Sequence, residues 1–137
     1  MVNLTKIQEA IWNAAKKVEY TVVDYIEFNS IEPPFIHLGN LYFDDDSVKN
    51  NEGLICSQYI NIYSTYSGKK ELLEMMDAIS AEMKGINEID SYKVYVKQKS
   101  TSLITDKDRF GSIFQRTDRN SNKFYHAVLV FELHINC

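Results

Sequence analysis

The spacing of apolar positions along the chain alternates between a helical and an extended period, and each change of period marks an element. Leu4, Ile7, Ile11, Ala14, Ala15 and Val18 recur every three or four residues and predict an amphipathic helix over residues 4–18. Asn3 or Thr5 stands where an N-cap belongs, and Lys16 and Lys17 lie near the negative C-terminal end of the helix dipole. The run "YTVVDYIEF", residues 20–28, is β-branched and aromatic and reads as extended chain, a short edge strand. Pro33 and Pro34 forbid helix and withhold two backbone donors, so the chain enters the strand "FIHLGNLYF", residues 35–43, as a stiff segment. Gly39 marks a bulge or a close backbone approach in that strand, and an acidic, asparagine-rich loop is expected over 44–52.

Period two returns over 53–63, where Leu54, Cys56, Gln58, Ile60 and Ile62 form the core-facing set against Ile55, Ser57, Tyr59, Asn61 and Tyr63. The helical period resumes in "STYSGKKELLEMMDAISAEMKG": Leu72, Leu73, Met76, Ile79 and Met83 line one face, Ser67 offers an N-cap, and Gly85 a C-terminal cap. Residues 92–99 alternate Val94 and Val96 inward against Lys93, Tyr95, Lys97 and Lys99 outward. A polar, charged loop is expected from about 100 to 122, and then a strand over 124–135 with Tyr125, Ala127, Leu129, Phe131, Leu133 and Ile135 on its inner face. Its second face, Phe124, His126, Val128, Val130, Glu132 and His134, is too apolar for ordinary solvent-exposed sheet.

The order helix, strand, strand, helix, strand, strand predicts one α+β domain over residues 1–137, with a mostly antiparallel four- to five-stranded sheet and two helices packed on one face. The half-apolar second face then needs a cover, and the simplest cover is a second copy of the chain.

Charge sharpens this picture. The chain carries −4 overall, but residues 97–123 hold Lys97, Lys99, Lys107, Arg109, Arg116, Arg119 and Lys123 against Asp106, Asp108 and Asp118, a local +4 that leaves −8 for the remainder. Such asymmetry favours charge-complementary contacts between copies or with a partner. The apolar runs are short, and the first residues, "MVNLTKIQEAIWNAAKK", place their charges inside the helical pattern, which argues against a membrane span or a secretory signal. Cys56 and Cys137 lie far apart in sequence and are expected as reduced thiols, Cys56 as a small buried hydrophobe.

Candidate chemistry is sparse. His37, His126 and His134 lack metal-site spacing, and the chain shows no glycine-rich phosphate loop, nucleophile elbow or cysteine-nucleophile signature. Neither an enzyme nor a bound cofactor or metal is expected. Asp44, Asp45 and Asp46 suit a hard cation such as Mg²⁺ or Ca²⁺, but they do not reproduce an EF-hand; keeping a strand end soluble and unpaired is the simpler role. The stretch "DRFGSIFQRTDRNSNKFYH" interleaves arginines with aromatics, as single-stranded nucleic-acid binders do, while its acids and the acidic whole chain weaken that signal.

Taken in order, "PPFIHLGNLYFDDDS", "INIYSTYSGKKELLEMMDAISAEM" and "FYHAVLVFELHI" resemble the tail-terminator and tail-completion proteins of long-tailed bacteriophages, small head–tail joining proteins. The likeness runs over roughly residues 4–135 and rests on three features: the proline-led strand that runs into a charged loop, Gly68-Lys69-Lys70 opening the central helix, and a terminal strand that begins with Tyr125 and His126. The resemblance implies a structural protein that forms a hexameric ring on the head-proximal end of the tail tube, stops tube polymerisation and faces the neck proteins of the filled head. Its implied partners are other copies of itself, the tail tube protein and head–tail connector or neck proteins; its place is the virion neck, and the host cytoplasm during assembly. Genome DNA would pass such a ring without specific binding, because six copies would carry about −24 in total. The charge asymmetry pairs Asp44, Asp45 and Asp46 of one copy with Arg109, Arg116 or Arg119 of its neighbour. The longer lead-in "YTVVDYIEFNSIE" and the segment 106–122 depart from the family pattern.

Two other readings compete. One is another neck, head-completion or minor tail component of similar fold. The other is a small cytosolic domain that binds a ligand or single-stranded nucleic acid on the outer sheet face through Tyr95, Lys97 and His126.

Overall fold

The computed structural model of the 137-residue chain describes residues 3–24, 34–46, 53–64, 69–105 and 125–136. The elements run α1 (Leu4–Ala15), β1 (Val22–Val23), β2 (Phe35–Asp46), β3 (Gly53–Ser64), α2 (Lys70–Lys84), β4 (Glu88–Ile89), β5 (Tyr92–Thr105) and β6 (Tyr125–Asn136). One sheet takes the order β1-β2-β3-β6-β5-β4. The α+β class matches the expectation, but the sheet has six strands and is mixed: β1 lies parallel to β2, and the other four pairings are antiparallel. The expected edge strand over 20–28 is present as the two-residue β1, and the added strand is the two-residue edge β4, which is too short to give a period in the sequence.

Alternation places the core as expected. Leu54, Cys56, Gln58, Ile60 and Ile62 of β3 and Ala127, Leu129, Phe131, Leu133 and Ile135 of β6 are all buried. Ile7, Ile11, Ala14 and Ala15 of α1 join the same cluster with Leu72, Met75, Ile79 and Met83 of α2, so both helices cover one face of the sheet. Burial pushes the Cys56 thiol up to about 12, which leaves it a packing residue.

Helix ends and faces differ in detail. Asn3 is the N-cap of α1 and accepts the Thr5 amide at 3.0 Å. The helix ends at Ala15 rather than residue 18, yet Val18 and Tyr20 still pack against the core, so the apolar spacing is satisfied through a turn. In α2 the buried stripe takes Met75 in place of Leu73, which is 46% exposed. Leu73 lies about 100° round the helix from Leu72, off the stripe that Leu72, Ile79 and Met83 define. Ser67 lies outside the described residues; Lys69 occupies the N-cap without a side-chain bond. The first turn is anchored instead from β3, where Ser64 Oγ donates to Glu71 Oε1 at 2.6 Å. Gly85 is the C-cap, but in a right-handed conformation (φ −79°) that any residue adopts.

Two expected loop boundaries move. Asp44, Asp45 and Asp46, expected in a loop over 44–52, belong to β2 and pair with Ile55, Leu54 and Gly53; residues 47–52 lie outside the described residues. Antiparallel pairing holds polar residues in a strand as well as apolar ones, because the ladder is made by backbone groups. Likewise β5 continues to Thr105, past a register shift between Gln98 and Ser100, where the sequence reading ends the strand at 99. Residues 106–124, including Arg109, Arg116, Arg119 and Phe124, lie outside the described residues.

Candidate interaction surface

The second face of the sheet is assembled from the positions that alternate with the core set. Register across β2, β3, β6 and β5 sets them in rows: Asp44, Ile55, His134 and Tyr95 share one row, and Tyr42, Ser57, Glu132 and Lys97 the next. At the opposite end, Phe35, Tyr63 and His126 lie side by side. Phe35 and Tyr63 have ring centroids 4.8 Å apart, and Tyr63 stacks on His126 at 4.6 Å with 5° between planes.

These two ends differ in access. Phe35, Tyr63 and His126 are buried within the single chain, His126 to 3% exposure. The expectation of an outer face bare along its length is thereby corrected: the chain already closes off one end of it. Exposure concentrates at Tyr42, Tyr59 and Tyr95, the last 65% exposed. His126 does not share an accessible patch with Tyr95 and Lys97, since β6 pairs Tyr95 with His134, eight positions further along the strand.

A polar line crosses the buried end. His126 Nε2 donates to Asn61 Oδ1 at 2.9 Å, and Asn61 Nδ2 donates to His37 Nδ1 at 3.4 Å. Burial lowers the His37 pKa, partly offset by a hydrogen bond to the Asp24 backbone and by the Asp24 carboxylate. The line depends on Gly39, because a Cβ there would stand 3.0 Å from Asn61 Nδ2. Gly39 sits in a β2 bulge, where three residues of β2 advance against two of β3 between Leu38 and Leu41. Gln58, buried on the core side, holds that bulge by donating to the carbonyls of Gly39 (3.1 Å), Asn40 (3.4 Å) and Tyr59 (2.8 Å).

At the accessible end, Glu132 is the electrostatic centre. Burial pushes its carboxyl up, but the His134 hydrogen bond at 3.0 Å and Lys99 at 3.5 Å outweigh that effect and hold it below its ordinary value. Around it, Tyr42 meets Tyr59 edge-on at 5.6 Å and Tyr95 tilts over His134 at 6.1 Å. Exposed tyrosines of this kind are enriched at surfaces that dock other proteins. Asp44 shares a row with Tyr95, three strand spacings away, roughly 14 Å. The Glu132–His134–Lys99 cluster is the part the sequence reading missed; the β5 register shift brings Lys99 to it, and no motif announces such a shift. Among the described residues, no three His, Cys, Asp or Glu side chains converge as metal ligands would.

No protein-family model matches the sequence, and no curated protein matches it. A solved structure does share the fold: a chain in the virion of a native gene transfer agent particle superposes with a TM-score of 0.72, over 96% of this chain and 95% of that one, at 13% identity. The six-stranded sheet with two helices on one face is thus a fold found in a virion subunit.

Proposed function

We propose that this chain is a structural virion protein that closes the head-proximal end of a tail tube as a hexameric ring, ends tube polymerisation and forms part of the head–tail joint. The observation that carries the reading is end-to-end fold likeness to a chain of a gene transfer agent virion, and the ordered sequence features that resemble tail terminators support it. The role is structural rather than catalytic, with other copies, the tail tube protein and connector or neck proteins as partners, and genome DNA passing without specific binding. Asp44, Asp45 and Asp46 on one side and Arg109, Arg116 and Arg119 on the other supply charge complementarity between neighbours, and Tyr95 and Lys97 lie on the accessible part of the outer face. His126 supports that face from within rather than touching a partner. Electron microscopy of tails assembled with and without the protein tests the reading: tails of unregulated length are expected in its absence, and equal length distributions overturn it.

Exposed Tyr42, Tyr59 and Tyr95 near Lys97 and Lys99 favour one second reading, a single-stranded nucleic-acid platform. Tight oligonucleotide binding at low salt by a monomer would support it over the ring.

A further inference from the structure

β1 accompanies β2 only as far as the Val23–His37 pair, while β2 runs on to Asp46. Along residues 38–46, no strand among the described residues pairs with the outer edge of β2, although Gln58 already takes the carbonyls of Gly39 and Asn40. Where β1 stops, α1 and the β2 bulge stand apart around a cleft of about 440 Å³, within the size range of pockets that hold a ligand. Among the described residues that line it, Ile11, Trp12, Leu38 and Leu41 give apolar walls, Glu9 and Asp24 are the carboxylates, and none is basic. Trp12 already accepts a cation on its ring, with Lys16 Nζ 5.2 Å from the centroid. An apolar cleft with two exposed carboxylates, beside a strand edge that no described strand pairs with, is complementary to an extended segment with a long cationic side chain.

We propose that this cleft and the adjoining β2 edge receive the basic segment 107–123 of a second copy, with an arginine or lysine entering between Trp12, Glu9 and Asp24. The segment "KDRFGSIFQRTDRNSNK" carries five basic residues against two acidic ones, opposite in sign to the cleft and to Asp44, Asp45 and Asp46 further along the same strand. The choice of a second copy as occupant rests on the ring reading, which sets copies side by side. A backbone pairing with β2 would fix the segment's register, and the cleft would select its charge.

Trp12 is the only tryptophan in the chain, and segment 107–123 contains neither tryptophan nor tyrosine, so selective tryptophan emission reads the cleft directly. Titrating the full-length chain with a synthetic peptide of residues 107–123 is expected to shift Trp12 emission saturably, more weakly as salt rises. Reversing both carboxylates, Glu9→Lys with Asp24→Lys, is expected to weaken the peptide about tenfold or more. Both sites are exposed, so circular dichroism should report an unchanged fold; the milder pair Glu9→Gln and Asp24→Asn serves if it does not. A silent titration, an equal response from the altered chain, or equal binding of a scrambled peptide overturns the proposal. The ring reading is judged apart: a silent titration with normal tail-length control removes only this contact, whereas peptide uptake by a chain that leaves tails unregulated keeps the contact and removes the ring.

Discussion

Gln58 shows how much one side chain decides. It is a polar residue in the core-facing set, and its amide supplies the donors that hold the bulge carbonyls of Gly39 and Asn40. Gln58→Leu keeps the volume but strands those carbonyls, and should lower stability by about 1–3 kcal/mol, read as a lower urea midpoint. Two titrating groups make stability fall with acid. The His37 pKa is depressed from 6.5, so the unfolded chain takes the proton first; its contribution is complete above 6.5 and is lost as pH falls through the folded value. Glu132 is depressed from 4.5, and its contribution is present above 4.5 and lost as pH falls through its own folded value. His37→Gln should flatten the upper limb of a stability–pH profile and Glu132→Gln the lower one; a limb that keeps its slope contradicts the assignment. Alternation placed Gln58 facing inward and Glu132 facing outward, but neither role was legible, because each depends on a register shift that brings distant backbone or Lys99 within reach.

Among the elements, the tight link between β4 and β5 carries visible strain. Asp90 and Ser91 both take positive φ, 51° and 71°, a left-handed pair that suits the twist of a two-residue hairpin but is normally filled by asparagine and glycine. Ser91→Gly should therefore stabilise by about 1 kcal/mol, a rise of a few degrees in Tm; an unchanged Tm would mean that the turn relaxes at no cost. At the start of α2 the Ser64–Glu71 bond does the work of a missing cap, and Ser64→Ala should cost about 1 kcal/mol. Both helices and the four long strands were legible, since each carries enough periodic positions to show its type, even where β2 and β5 shift register. What escaped was shorter or polar: β4 is two residues long, and Asp44 to Asp46 read as loop because composition does not report a backbone ladder.

For the whole molecule, periodicity tells which residues share a face but not what lies over it. The outer face therefore read as uniformly bare, whereas Phe35, Tyr63 and His126 are closed off within the chain and a compact patch around Tyr42, Tyr59 and Tyr95 remains open. The charge asymmetry read from the sequence carries the assembly prediction. Asp44→Lys, Asp45→Lys and Asp46→Lys together should abolish ring formation on the tail tube, measured as mass in solution with tube present; undiminished assembly would assign the acidic strand end another role.

The strand order has a consequence for biosynthesis. β6 fills the middle of the sheet, bonded on one side to β3 and on the other to β5, although β3 precedes it by some sixty residues of chain. A nascent polypeptide interrupted before Tyr125 has two half-sheets and nothing to join them. Incomplete translation products should accordingly be cleared by proteases rather than compete for places on a growing particle.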